Sequence, residues 1–152
     1  MNLAINIIPQ PQLVITGKGS LDLRSINKIL IKTESEKELA IAQFFQKLLK
    51  PINHIRIERF SNQRENHLLL SLSKDSNLPD EGYRLEIKAQ SISLEASTFG
   101  GLFYGFQTFR QLCDSKLESG SLPKNTIVPE CTIEDFPEFK YRGMHLDVSR
   151  HF

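Results

Sequence analysis

The chain has 152 residues, 39% of them hydrophobic and 24% charged, which suffices for one soluble domain burying roughly 70% of its unfolded surface. Lys and Arg number 19 against 18 Asp and Glu, so the net charge of +1 leaves no electrostatic footprint for nucleic acid or an acidic membrane surface. No apolar run approaches the roughly 20 residues of a membrane span; Leu68-Leu69-Leu70 is strand-sized.

The opening "MNLAINIIPQPQ" lacks the basic segment and apolar run of a signal peptide, so the protein is cytoplasmic or an export signal was removed upstream. Pro9 and Pro11 make an extended entry to a short strand at Leu13–Ile15, and Gly17-Lys18-Gly19 reads as a turn. Leu21, Leu23, Ile26, Ile29 and Ile31 fit one or two further β segments. Ser35-Glu36-Lys37-Glu38 is a helix start of capping-box type, Ser35 bonding the backbone of Glu38 and the Glu38 side chain reaching back. Ile41, Phe45, Leu48 and Ile52 form its apolar stripe, and Pro51 ends it.

Ile55, Ile57 and Phe60 alternate with charged residues as a half-buried strand does, and His67–Ser73 is a more deeply buried one. The loop from Asp75 to Gly82 leads to a hairpin, Tyr83–Lys88 and Ile92–Ala96, turning at Ala89-Gln90. A second helix spans about Phe99 to Asp114, with Leu102, Phe106, Phe109 and Cys113 inward and Gly105 permitting close approach to the sheet. A polar linker, Lys116–Asn125, precedes a last strand at Thr126–Ile133. Beyond Phe136-Pro137, Met144–Val148 reads as a buried strand that runs into Ser149, Arg150 and His151. These elements predict an α+β domain: an antiparallel sheet with two amphipathic helices on one face.

Several chemistries are weighed and set aside. Gly100 and Gly105 have phosphate-loop spacing, but Phe106-Gln107 stands where Lys and Ser or Thr are required, so these are packing glycines. His145, Asp147 and His151 resemble a two-histidine, one-carboxylate iron site, except that the third ligand of such sites comes from a distant segment. Ser149 lacks the nucleophile elbow of a hydrolytic triad with Asp147 and His151. His54 and His67 read as isolated strand-edge residues. Cys113 and Cys131 read as two buried thiols, with a disulfide open only if the fold brings them together.

Three stretches resemble family 20 glycoside hydrolases, the β-N-acetylhexosaminidases. "IIPQPQ" (Ile7–Gln12) is similar to the start of their N-terminal domain. "LEASTFGGLFYGFQTFRQL" (Leu94–Leu112) resembles its end, with a Gly-x-Gln-Thr motif. "DFPEFKYRGMHLDVSRHF" (Asp135–Phe152) resembles the entry to their catalytic barrel, matching at Arg142-Gly143, Asp147 and Ser149-Arg150-His151-Phe152.

The resemblance implies a domain at residues 1–135 and, at 136–152, the truncated first strand of a (β/α)8 barrel, whose active residues sit at the C-terminal strand ends. It implies retaining hydrolysis of terminal N-acetylhexosamine from glycans with substrate assistance, the sugar's 2-acetamido oxygen attacking its own anomeric carbon. The family's Asp-Glu pair lies much later, in the barrel; the one Asp-Glu dipeptide here, Asp80-Glu81, falls in the loop before the hairpin, and Trp is absent. This chain alone is therefore expected to be inactive. Arg150 is the expected substrate-binding residue, while Asp147, Arg142 and His151 are expected to support the site. No cofactor or metal is implied, the expected partner is the protein's own barrel, and the resemblance points to a periplasmic or secreted setting. Alternatives are an autonomous glycan- or protein-binding module, or the N-terminal domain of a family 84 O-GlcNAc hydrolase or an α-glucuronidase; Ser149-Arg150-His151-Phe152 argues against the last two.

Overall fold

The computed structural model describes residues 5–33, 35–60, 65–74 and 77–146. Along the chain lie β1 (Leu13–Asp22), β2 (Lys28–Ile31), α1 (Glu36–Leu49), β3 (Arg56–Arg59), β4 (His67–Leu72), β5 (Tyr83–Lys88), β6 (Ser91–Ala96), α2 (Phe99–Leu112) and β7 (Ile127–Asp135). The strands form one sheet in the order β1-β7-β5-β6-β4-β2-β3. Its first half is antiparallel, but β6 with β4, β4 with β2, and β2 with β3 are parallel pairs. The sheet is therefore mixed, and the all-antiparallel expectation is corrected. Alternation within a strand reports which face is buried and carries no information on strand direction. Here α1 supplies the long crossover that a parallel pair, β2 with β3, requires.

Both helices lie on one face. Phe45 of α1 meets Phe106 edge-on at 4.9 Å and Phe109 at 5.1 Å, so the helices share a seam over the sheet. Beneath it Ile29, Leu68, Leu70, Leu85, Ile92 and Leu94 are fully buried, the inward residues of four neighbouring strands. Gly105 has the anticipated role: a Cβ there would run into Leu94 and stand 3.1 Å from the Tyr83 ring. Gly101 likewise backs onto the Gly82 carbonyl and Ala96. The hairpin turns at Ala89-Gln90 as expected, Lys88 pairing with Ser91, and neither turn residue has positive φ.

Four local expectations are corrected. Gly17-Lys18-Gly19 is no turn; β1 passes straight through it, with a register shift between Thr16 and Ser20 opposite β7. The glycines admit Glu130, whose Cβ would be 2.7 Å from a Cβ on Gly17 and whose carboxylate accepts the Gly19 N–H at 3.0 Å. His67 is not at a strand edge: it opens β4, an interior strand, and its Nδ1 has no hydrogen-bond partner. Tyr141, Met144 and Leu146 are exposed, at 90%, 86% and 59%, and residues 141–146 form no strand. A strand needs a ladder partner and covering side chains, and neither surrounds these residues among those described.

The fourth concerns the capping box. Ser35 does cap α1, accepting from the Lys37 N–H at 3.2 Å. Glu38, however, is fully buried and turns toward the sheet. Its carboxylate accepts from the Thr33 N–H at 2.7 Å, the Thr33 hydroxyl at 2.8 Å and the Leu72 N–H at 2.6 Å. Thr33 lies just beyond β2 and Leu72 closes β4, so one side chain caps two adjacent parallel strands while its charge rests at a helix N-terminus. Glu38→Gln substitutes a donor for one acceptor oxygen and removes the charge. It should cost about 1–2 kcal/mol, read as a lower denaturant midpoint at constant m-value. An unchanged midpoint would remove this tie from the account.

Candidate functional site

A hydrogen-bonded group of polar side chains lies where the chain leaves the sheet. Tyr83 at the start of β5 stands opposite Asp135 at the end of β7. The Tyr83 ring is buried beside Gly105, and its hydroxyl pairs with the Thr108 hydroxyl at 2.5 Å. Burial pushes the Tyr83 phenol up to about 12; the Thr108 bond works against this and the Asp135 charge adds to it. The Gln111 amide brackets Ile8, accepting its N–H at 2.9 Å and donating to its carbonyl at 3.0 Å. Asp135 also accepts the Gln12 N–H at 3.2 Å. The Gly-x-Gln-Thr motif thus has a physical content: Gly105 and Thr108 receive Tyr83, while Gln107 accepts from Arg110 at 2.5 Å.

Arg142 closes this corner. Its guanidinium donates to the Glu81 carboxylate at 2.7 Å, the Phe139 carbonyl at 2.5 Å and the Tyr104 hydroxyl at 3.3 Å. Glu81, and after it Tyr104, hold the guanidinium above its ordinary value. Arg142, Glu81 and Tyr104, with Ile7, Gln12 and Gln107, border an open cleft of about 500 Å³. A second cleft, of about 680 Å³, lies between the helix ends, over Phe44, Leu48 and Phe106 and beside Lys47, Lys50 and Arg110. Phe44, Phe99 and Tyr104 are each more than a third exposed, and Phe44 stacks on Phe106 at 5.7 Å.

Of the site residues expected from the sequence, Arg142 alone lies among the described residues, in contact with Glu81, Phe139 and Tyr104. Asp147, Arg150 and His151 lie outside the described residues, as do Val148, Ser149 and Phe152. No group of three or more His, Cys, Asp or Glu residues able to hold a metal occurs among the described residues. Cys113 and Cys131 are free thiols, pushed up by burial to about 12 and about 11. Among the described residues no helix is long and apolar enough to cross a membrane. Sequence reasoning missed Glu81, Tyr104 and Gln111. Only the Glu81-Gly82 pair, at the end of a loop rich in turn residues, carries a local signal.

The fold so described is an α+β domain, one mixed seven-stranded sheet carrying two helices. The profile described as glycosyl hydrolase family 20, domain 2, matches residues 4–136. The chain belongs to glycosyl hydrolase family 20. A β-hexosaminidase of Porphyromonas gingivalis is 31% identical over 151 residues, covering 97% of this chain and 19% of the relative. A β-N-acetylhexosaminidase of Cellulomonas fimi is 29% identical over 150 residues, covering 97% and 29%. A mutant Streptomyces plicatus β-hexosaminidase in complex with its product, GlcNAc, superimposes with a TM-score of 0.80 at 30% identity, over 96% of this chain and 29% of that one. The chain thus spans between about a fifth and three tenths of the length of these relatives.

Proposed function

We propose that residues 1–135 are the non-catalytic N-terminal domain of a β-N-acetylhexosaminidase and that residues 136–152 begin its catalytic barrel. The observation that carries this is one of order: the family match over residues 4–136 leads directly into Arg142-Gly143, Asp147 and Ser149-Arg150-His151-Phe152. The relatives' names and the bound GlcNAc of a structural neighbour support terminal N-acetylhexosamine as the substrate.

The reaction is retaining and substrate-assisted. The sugar's acetamido oxygen displaces the leaving oxygen, which a Glu of the barrel protonates, and an adjacent Asp orients and stabilises the acetamido group. Arg150 donates to the sugar's 3- and 4-hydroxyls, a task suited to a rigid guanidinium fork, and Asp147 and His151 support it. The partly exposed rings of Phe44, Phe99 and Tyr104 on the helices support a docking face for the barrel, since such rings are enriched at interfaces.

The 152-residue chain should show no turnover of an aryl N-acetylglucosaminide, whereas a chain extended through the barrel should hydrolyse it. Turnover by the short chain that a substitution within it abolishes would overturn the assignment.

A further inference from the structure

We infer that Glu81 is a latch for the segment leaving the sheet, and, resting on the function proposed above, a positioning residue for Arg150. Glu81 has a φ of +60°, in the left-handed region a residue with a side chain seldom adopts. That conformation is tied in place: its N–H donates to Thr98 Oγ1 at 3.3 Å, and the same oxygen caps α2 by accepting from Gly101. Gly82 follows with its backbone against α2 and a Cβ position 3.3 Å from Phe136. The carboxylate is thereby presented away from the sheet, where it takes the Arg142 guanidinium at 2.7 Å. Arg142 folds back on its own segment through the Phe139 carbonyl and lies 6.0 Å over the Tyr104 ring.

Three parts of the molecule meet at this ion pair: the loop before β5, the first half of α2, and the outgoing chain. Around it the outgoing chain is open, with Lys140 exposed and Tyr141 almost wholly so. No other ion pair found among the described residues reaches residues 136–146. Arg142 precedes Arg150 by eight residues, so a tether at Arg142 restrains the point from which the chain runs on toward Arg150.

The test uses trypsin on the 152-residue chain, following cleavage after Lys140 by mass. Glu81→Gln should accelerate that cleavage about two- to fivefold, the span expected for a solvent-accessible ion pair, with no change in melting temperature. The exchanged pair Glu81→Arg with Arg142→Glu should restore the original rate, and Glu138→Gln should leave it unchanged. Equal rates for wild type and Glu81→Gln, failure of the exchange to restore, or acceleration with a lowered melting temperature would each overturn the latch. In a chain extended through the barrel, Glu81→Gln should lower kcat/KM on an aryl N-acetylglucosaminide by a similar factor, again restored by the exchange. Unchanged activity overturns the positioning role and leaves the latch to the proteolysis result. Absence of any activity in the extended wild-type chain overturns the proposed function, and the positioning role with it.

Discussion

Phe45→Ala should lower the stability of the domain by about 3–5 kcal/mol, the usual cost of removing a buried aromatic ring. Phe45 is fully buried and its ring touches both Phe106 and Phe109, so its loss opens a void at the seam between the helices and the sheet. The seam cannot close around that void, because α1 is tied to the strand ends by Glu38 and α2 is seated on the sheet at Gly101 and Gly105. Phe106→Ala should cost less. Its ring is slightly exposed and stacks on the outer side against Phe44, which can move into the gap. Urea denaturation of the two variants measures both effects. Unchanged midpoints in both would mean that the helix faces are wrongly assigned, and a larger loss for Phe106→Ala would reverse the order of burial.

Arg150→Lys should reduce kcat/KM of the extended enzyme roughly tenfold or more. On the role proposed for Arg150, lysine keeps the charge but loses the fork, so one of the two proposed charge-assisted hydroxyl contacts goes, and such a contact is worth about 1.5–3 kcal/mol. A substrate lacking the 4-hydroxyl should show a smaller loss, because that contact cannot be removed twice. Arg142→Lys should matter less for sugar recognition, since Arg142 is already engaged with Glu81, Phe139 and Tyr104. Kinetics on the normal and 4-deoxy sugars decide the matter. Equal losses on both would remove the 4-hydroxyl contact, and no loss on either would remove Arg150 from the site.

Short-range features were legible from the residues alone. Helix faces follow from the spacing of Ile41, Phe45 and Leu48 and of Leu102, Phe106 and Phe109, because 3.6-residue periodicity is a property of the segment itself. The hairpin of β5 and β6 and the packing role of Gly105 were readable from equally local patterns, as was membership of the family.

Other features depend on what a segment meets after folding. Whether Gly17 and Gly19 turn the chain or admit a neighbour depends on Glu130, more than 100 residues away. Glu38 has the local pattern of a capping box. The free N–H of Leu72 and the two donors of Thr33 offer a buried carboxylate more than the single backbone group at Ser35 does, and burial makes satisfying those donors the stronger demand. Strand direction has no local signature at all, so the mixed sheet emerged only with the crossover of α1. The same holds for Glu81 and Arg142. Each is an ordinary charged residue in the sequence, and only the tertiary structure brings together two side chains 61 positions apart.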